Sequence, residues 1–149
     1  MNHFLLFCFL LLPPQYDKVT IENYIVNDGD TFTQADIILD DSALNIVMPQ
    51  KMQIRLTHES IRFENFDAWE ATTTRKTVKI TPEELIKGTK AKNDLKQLCL
   101  KGTTVYILVK KPFRRGAYGR IVGRPFVVLE GKDVDIISYM RSKGHERHN

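Results

Sequence analysis

At 149 residues, with 42% hydrophobic and 27% charged side chains, the chain can build one domain with its own core and is too apolar for a disordered segment. Its net charge of +4 leans toward anionic partners without marking a nucleic-acid binder by itself. Two cysteines (Cys8 and Cys99) and four histidines (3, 58, 145 and 148) match no zinc spacing, which argues against a structural zinc module.

Residues 4–12, FLLFCFLLL, form an apolar run closed by Pro13 and Pro14. It is too short to span a bilayer but has the size of a signal-peptide core. Residues 1–15 therefore read as an export signal or as a hydrophobic N-terminal extension, with a cytoplasmic location the alternative. The first residues lack Lys and Arg, and no small-x-small cleavage site follows. If Cys8 is removed with this segment, Cys99 has no internal disulfide partner. The domain then occupies 16–149.

Residues 16–40 alternate as strands, interrupted at Asn27, Asp28 and Gly29, a hairpin signal because such turns use positive φ. Residues 40–49 are looser and read as an insertion. Strand character resumes at 50 and runs through Phe66. The stretch RFENFDAWEA then places Arg62, Asp67 and Glu70 so that a chain curling back after the strand gathers three charges. The polar, threonine-rich residues 71–79 read as a mobile loop.

Next comes the strongest helix signal. Thr81 is an N-cap, Pro82 the first helical residue and Glu84 the other half of a capping box. Leu85, Ala91, Leu95, Leu98 and Cys99 make one apolar stripe, Gly102 ends it, and Gly88 within it implies close packing. Residues 103–111 read as a buried strand. Residues 112–133 read as a basic loop, a strand and a turn at Glu130, Gly131 and Lys132. A second helix is expected over 133–144, capped by Asp133. The tail HERH, 145–148, reads as solvated. Five strands with a helix between the third and fourth predict a small, curved β-barrel with two helices, an α+β domain.

Charge gathers in NDGDT, RFENFDAWE and RRGAYGR. Asp30 and Asp67, brought together, would form a hard-oxygen site suited to Ca²⁺ or Mg²⁺, and their burial demands a cation nearby. Arg62 and Arg120 can each fork onto phosphate oxygens, and Glu70 can take a proton from an attacking water. Each motif alone has a plainer reading: a turn, a surface ion-pair group or an exposed loop. Jointly they are the parts of a phosphodiesterase.

In this order the motifs resemble the staphylococcal nuclease (thermonuclease) family over residues 17–145. The resemblance runs through DGDTF, R-x-x-x-x-D-A-x-E at 62–70, G-x-x-A-x-x-x-L-x-x-L at 88–98, KGTTVYI, YGRIVG and DVDIISYMRSKGH. It implies an OB-fold, a five-stranded barrel with two helices. It also implies Ca²⁺ held by Asp30, Asp67 and the Ala68 carbonyl, with Arg62, Glu70 and Arg120 catalytic. Tyr118 stands where the family has a tyrosine near the nucleotide. Trp69 replaces the family's proline, and Gly116 and Ala117 replace polar residues. The link before Arg62 is long, which leaves Arg55 a rival for its role.

The activity implied is Ca²⁺-dependent hydrolysis of DNA and RNA with little sequence preference, single-stranded or locally open substrate favoured. Arg115, Lys110 and Lys111, with Arg114 and Arg124, are expected to hold the substrate backbone. The expected enzyme is a monomer without membrane insertion. The alternative is a non-catalytic OB-fold module binding single strands or protein.

Overall fold

The computed structural model describes residues 15–40, 50, 53–71 and 79–148. The apolar leader, the looser segment at 41–49 and most of the threonine-rich loop lie outside these residues.

Among the described residues there are six strands and two α-helices. Strands β1 (Tyr16–Asp28), β2 (Thr31–Asp40) and β3 (Gln53–Phe63) precede helix α1 (Pro82–Lys101). Strands β4 (Thr104–Lys110), β5 (Ile121–Leu129) and β6 (Lys132–Asp135) follow, then helix α2 (Ile136–Ser142). The sheet order is β3-β2-β1-β4-β5-β6, antiparallel throughout, and a short parallel pairing of Ile61 to Phe63 with Ile121 to Gly123 closes β1 to β5 into a ring. Among the described residues no helix is long and apolar enough to cross a membrane.

The first hairpin forms as its sequence predicts, with one difference. The turn residues are Gly29 and Asp30, and Gly29 does not use a positive φ. Its lack of a side chain serves close approach instead: a Cβ there would lie 2.8 Å from Ala68 Cβ and 2.9 Å from Ala91 Cβ. Irregular register between β1 and β2 bends both strands, as ring closure requires.

Helix α1 starts on the expected capping box and buries Gly88, Ala91, Leu95, Leu98 and Cys99. Leu85 is only half-buried. The core that α1 covers includes Phe32, Ile37, Ile61, Phe63, Ile107, Ile121 and Met140, with Phe32 and Phe63 edge to face at 5.0 Å.

Three expectations are corrected. Among the described residues there are six strands rather than five. Glu130 and Gly131, with φ of 49° and 75°, make a tight two-residue turn that pairs 132–135 back onto β5. The second helix consequently begins at Ile136, capped by Asp135 accepting from Ile137 N at 3.0 Å, and not at Asp133. The third strand ends at Phe63 rather than Phe66, because Glu64 and Asn65 turn, with Asn65 at φ 52°.

Candidate active site

Asp30 occupies the second position of the β1–β2 turn and is 2% exposed. Its carboxylate accepts from Thr31 Oγ1 at 2.8 Å and from the Ala68 backbone N–H at 2.7 Å. Arg62 lies directly across the ladder from Thr31, which aims its guanidinium at the same carboxylate. One nitrogen, Nη1, donates to Asp30 Oδ1, and the other, Nη2, donates to Asp67 Oδ1. The turn after β3 thus brings Asp67 back to the hairpin, and one guanidinium spans both carboxylates.

Burial pushes the Asp30 carboxyl up to about 7, and neighbouring Asp28 adds to this. The Ala68 N–H and Arg62 oppose the shift without cancelling it. Ala68 contributes this N–H to the cluster, whereas the resemblance assigns it a carbonyl role.

Glu70 follows in the same loop, half-buried, with its backbone carbonyl against Gly88 of α1. Any side chain at 88 would collide with that carbonyl, which explains the glycine in a helix. Two cations lie over the Trp69 ring, Lys87 at 4.9 Å and Arg147 at 5.6 Å from its centre.

Arg120 enters from the start of β5. Arg62 pairs with Val122, so strand alternation sets Arg120 on the face that carries Arg62. Its Nε is buried and has no hydrogen-bond partner among the described residues. Its guanidinium lies 5.4 Å from the ring of Tyr118, which is 94% exposed with φ 59°. Arg55, the rival arginine, pairs instead with Glu22 at 2.8 Å and Asp36 at 3.3 Å, opposite Ile38. Seven residues along a strand put it roughly 20 Å from Arg62.

The basic residues at the end of β4 and just after it line a cleft of about 500 Å³ together with Phe113 and Val122. Three of them are engaged by carboxylates that sequence reasoning missed. Lys110 meets Glu64 at 2.6 Å, Lys111 meets Asp17 at 2.6 Å, and Arg115 forks onto Glu59 at 2.5 and 2.6 Å. The Arg115 hydrogen bonds hold the Glu59 carboxyl below its ordinary range. Arg124 is likewise paired, with Asp135. Arg114 has no ion pair among the described residues. No local signal announces such pairs, which join residues as far apart in the chain as Asp17 and Lys111.

The tail expected to be solvated is built into the site. His145 is 4% exposed, with Nε2 2.6 Å from Asp94 Oδ2 of α1, while Ala68 pairs with Glu146 as an isolated bridge.

No protein-family model matches the chain, and no curated protein resembles it significantly. Chemical fit therefore rests on the residues themselves. Among the described residues no three His, Cys, Asp or Glu side chains form a metal-binding group. Two carboxylates nevertheless converge within the span of one guanidinium, and one of them is buried beside a like charge. Hard oxygen donors in that number suit a weakly held Ca²⁺ completed by water and substrate oxygens.

Proposed function

We propose that the chain is a Ca²⁺-dependent nuclease with a site of the staphylococcal nuclease type on an OB-type barrel, hydrolysing phosphodiesters of DNA and RNA. The observation that carries this reading is Arg62 spanning Asp30 and Asp67, with Arg120 on the same face of the sheet. Asp30 and Asp67 are the residues that would hold the cation, which supplies fixed positive charge beside the scissile phosphate. Glu70 accepts a proton from the attacking water, and the Arg120 fork, joined by Arg62 once a cation replaces it on the two carboxylates, stabilises charge gathering on the phosphate oxygens. Losing one such preorganised donor costs on the order of 3 kcal/mol of transition-state stabilisation. The ion-paired cations of the loop after β4 form a less positive flank than their number suggests.

Heat-denatured DNA and RNA incubated with the protein in Ca²⁺, and separately with a Ca²⁺ chelator, test the reading. Cleavage in Ca²⁺ that stops in chelator is the expected result, and equal cleavage in both, or none in either, overturns it. Exposed Tyr118, a ready stacking surface for a base, favours the second reading, a single-strand-binding module. That reading is the outcome if single strands are retained in a gel shift and never cut.

A further inference from the structure

Asp67 carries half of the candidate cation site yet has little of its own to hold it. It lies in an irregular loop and its side chain is 46% exposed. The contacts that hold this loop from one side come from the far end of the chain. Gly144, at φ 74°, ends α2 and turns the backbone inward. The buried His145 then meets Asp94 of α1, and its N–H donates to Met140 O at 3.1 Å. Glu146 bridges to Ala68, and the Arg147 N–H donates to Asp67 O at 2.8 Å. From α2, Arg141 forks onto Glu146 at 2.8 to 3.0 Å and donates to Asn65 O at 2.8 Å. Arg147 and Lys87 both lie over the Trp69 ring.

From this geometry we infer that residues 145–147 are a positioning strap for the candidate site, fastened to α1 by His145 and holding the Asp67 loop through the Arg147 N–H. The inference rests on the nuclease reading only for its functional consequence. The strap contacts backbone at Asp67 and Ala68, and Arg141 adds a contact at Asn65, so its role is to place the Asp67 carboxylate. Supporting contacts behind metal ligands typically change metal affinity by about 10- to 100-fold.

Two substitutions at one position isolate the backbone contact in the full-length chain. Arg147→Pro removes the N–H that donates to Asp67, while Arg147→Ala keeps it and loses only the packing on Trp69. Three readouts apply: hydrogen exchange of the Ala68 amide, acrylamide quenching of Trp69 (the single tryptophan) and the Ca²⁺ concentration for half-maximal cleavage. Arg147→Pro should speed Ala68 exchange and raise the Ca²⁺ requirement, each about tenfold, with the barrel amides unchanged. Arg147→Ala should increase quenching and leave the Ca²⁺ requirement within about twofold. Should Arg147→Pro fail to fold, Arg141→Gln, which loses the fork on Glu146 and the Asn65 contact, should shift both readouts in the same direction. Wild-type exchange and Ca²⁺ requirement in the folded Arg147→Pro protein overturn the strap. If the wild-type chain cleaves nothing but Ala68 exchange rises in Arg147→Pro, the nuclease reading falls and the strap stands.

Discussion

The carboxylate of Asp30 is joined to the backbone amide of Ala68, 38 residues away, by a 2.7 Å hydrogen bond. This contact ties the first hairpin turn to the loop carrying Asp67 and Glu70, so site assembly and folding are one event. A cation at Asp30 and Asp67 should therefore stabilise the fold. At a hundredfold excess over Kd the gain is about 2.7 kcal/mol, roughly 5–10 °C in Tm for a domain of this size. Asp30→Asn, which cannot offer two charged oxygens, should abolish the Ca²⁺-dependent shift. A thermal melt with and without Ca²⁺ measures both.

The raised Asp30 carboxyl gives a pH dependence of definite sign. Between its ordinary value of 3.8 and about 7, the folded chain keeps a proton that the unfolded chain has released. Stability from this group is therefore full below about 4 and is lost as pH rises through 7. Glu59 and Glu146, held low by Arg115 and Arg141, act in the opposite sense and only below about pH 4.5. In chelator, the urea midpoint should fall between pH 5 and 7.5, and Asp30→Asn should flatten that slope. Ca²⁺ should bind more tightly over the same interval, because the ligand must be ionised.

The arginines should separate into three classes. Arg62 bridges a buried and a half-exposed carboxylate, and removing such a partner from a buried charge costs about 3 kcal/mol or more. Arg62→Lys, with a single ammonium, should lower both turnover and the urea midpoint. Arg120 has no ion pair among the described residues, so Arg120→Lys should lower turnover by orders of magnitude at unchanged stability. Arg55→Lys, on an exposed pair at the other end of β3, should change neither. Activity loss in Arg55→Lys would show that Arg55, and not Arg62, serves the site.

What could be read from the sequence was local. Thr81, Pro82 and Glu84 announce helix α1 within four residues, and the hairpin at Asp28 and Gly29 is equally compact. Arg62 and Asp67 were legible as partners because only a turn separates them. The strand Lys132–Asp135 was not, since Asp133 and Asp135 are both competent helix caps and the choice between them depends on pairing with β5. Nor was the fate of HERH, because a polar tetrapeptide says nothing about a distant Asp94 or Ala68. The carboxylates facing Lys110, Lys111 and Arg115 are long-range in the same way. Gly29 marks a turn in the sequence, but what requires a glycine there, the proximity of Ala68 and Ala91, exists only in the fold.

Gly88 offers a test of Glu70 that leaves its carboxylate intact. Glu70→Gln, an amide that cannot take a proton, should cut turnover by roughly 10²-fold or more with KM little changed. Glu64, the next carboxylate in that region, is engaged by Lys110 at 2.6 Å and is poorly placed to substitute. Gly88→Ala acts from behind. In a helix interior the added methyl favours the helix by roughly 0.5–1 kcal/mol. Here it collides with the Glu70 backbone carbonyl, and overpacking of that kind costs about 1–3 kcal/mol, so the clash dominates. The Glu70 loop must move while α1, well capped at Thr81, stays formed. Gly88→Ala should therefore retain its far-UV circular dichroism and lose turnover by about tenfold or more, the general-base contribution being geometry-dependent. Combined with Glu70→Gln, it should add almost nothing, because both changes remove the same proton acceptor. Full additivity in the double variant would place the effect of Gly88 elsewhere than at Glu70.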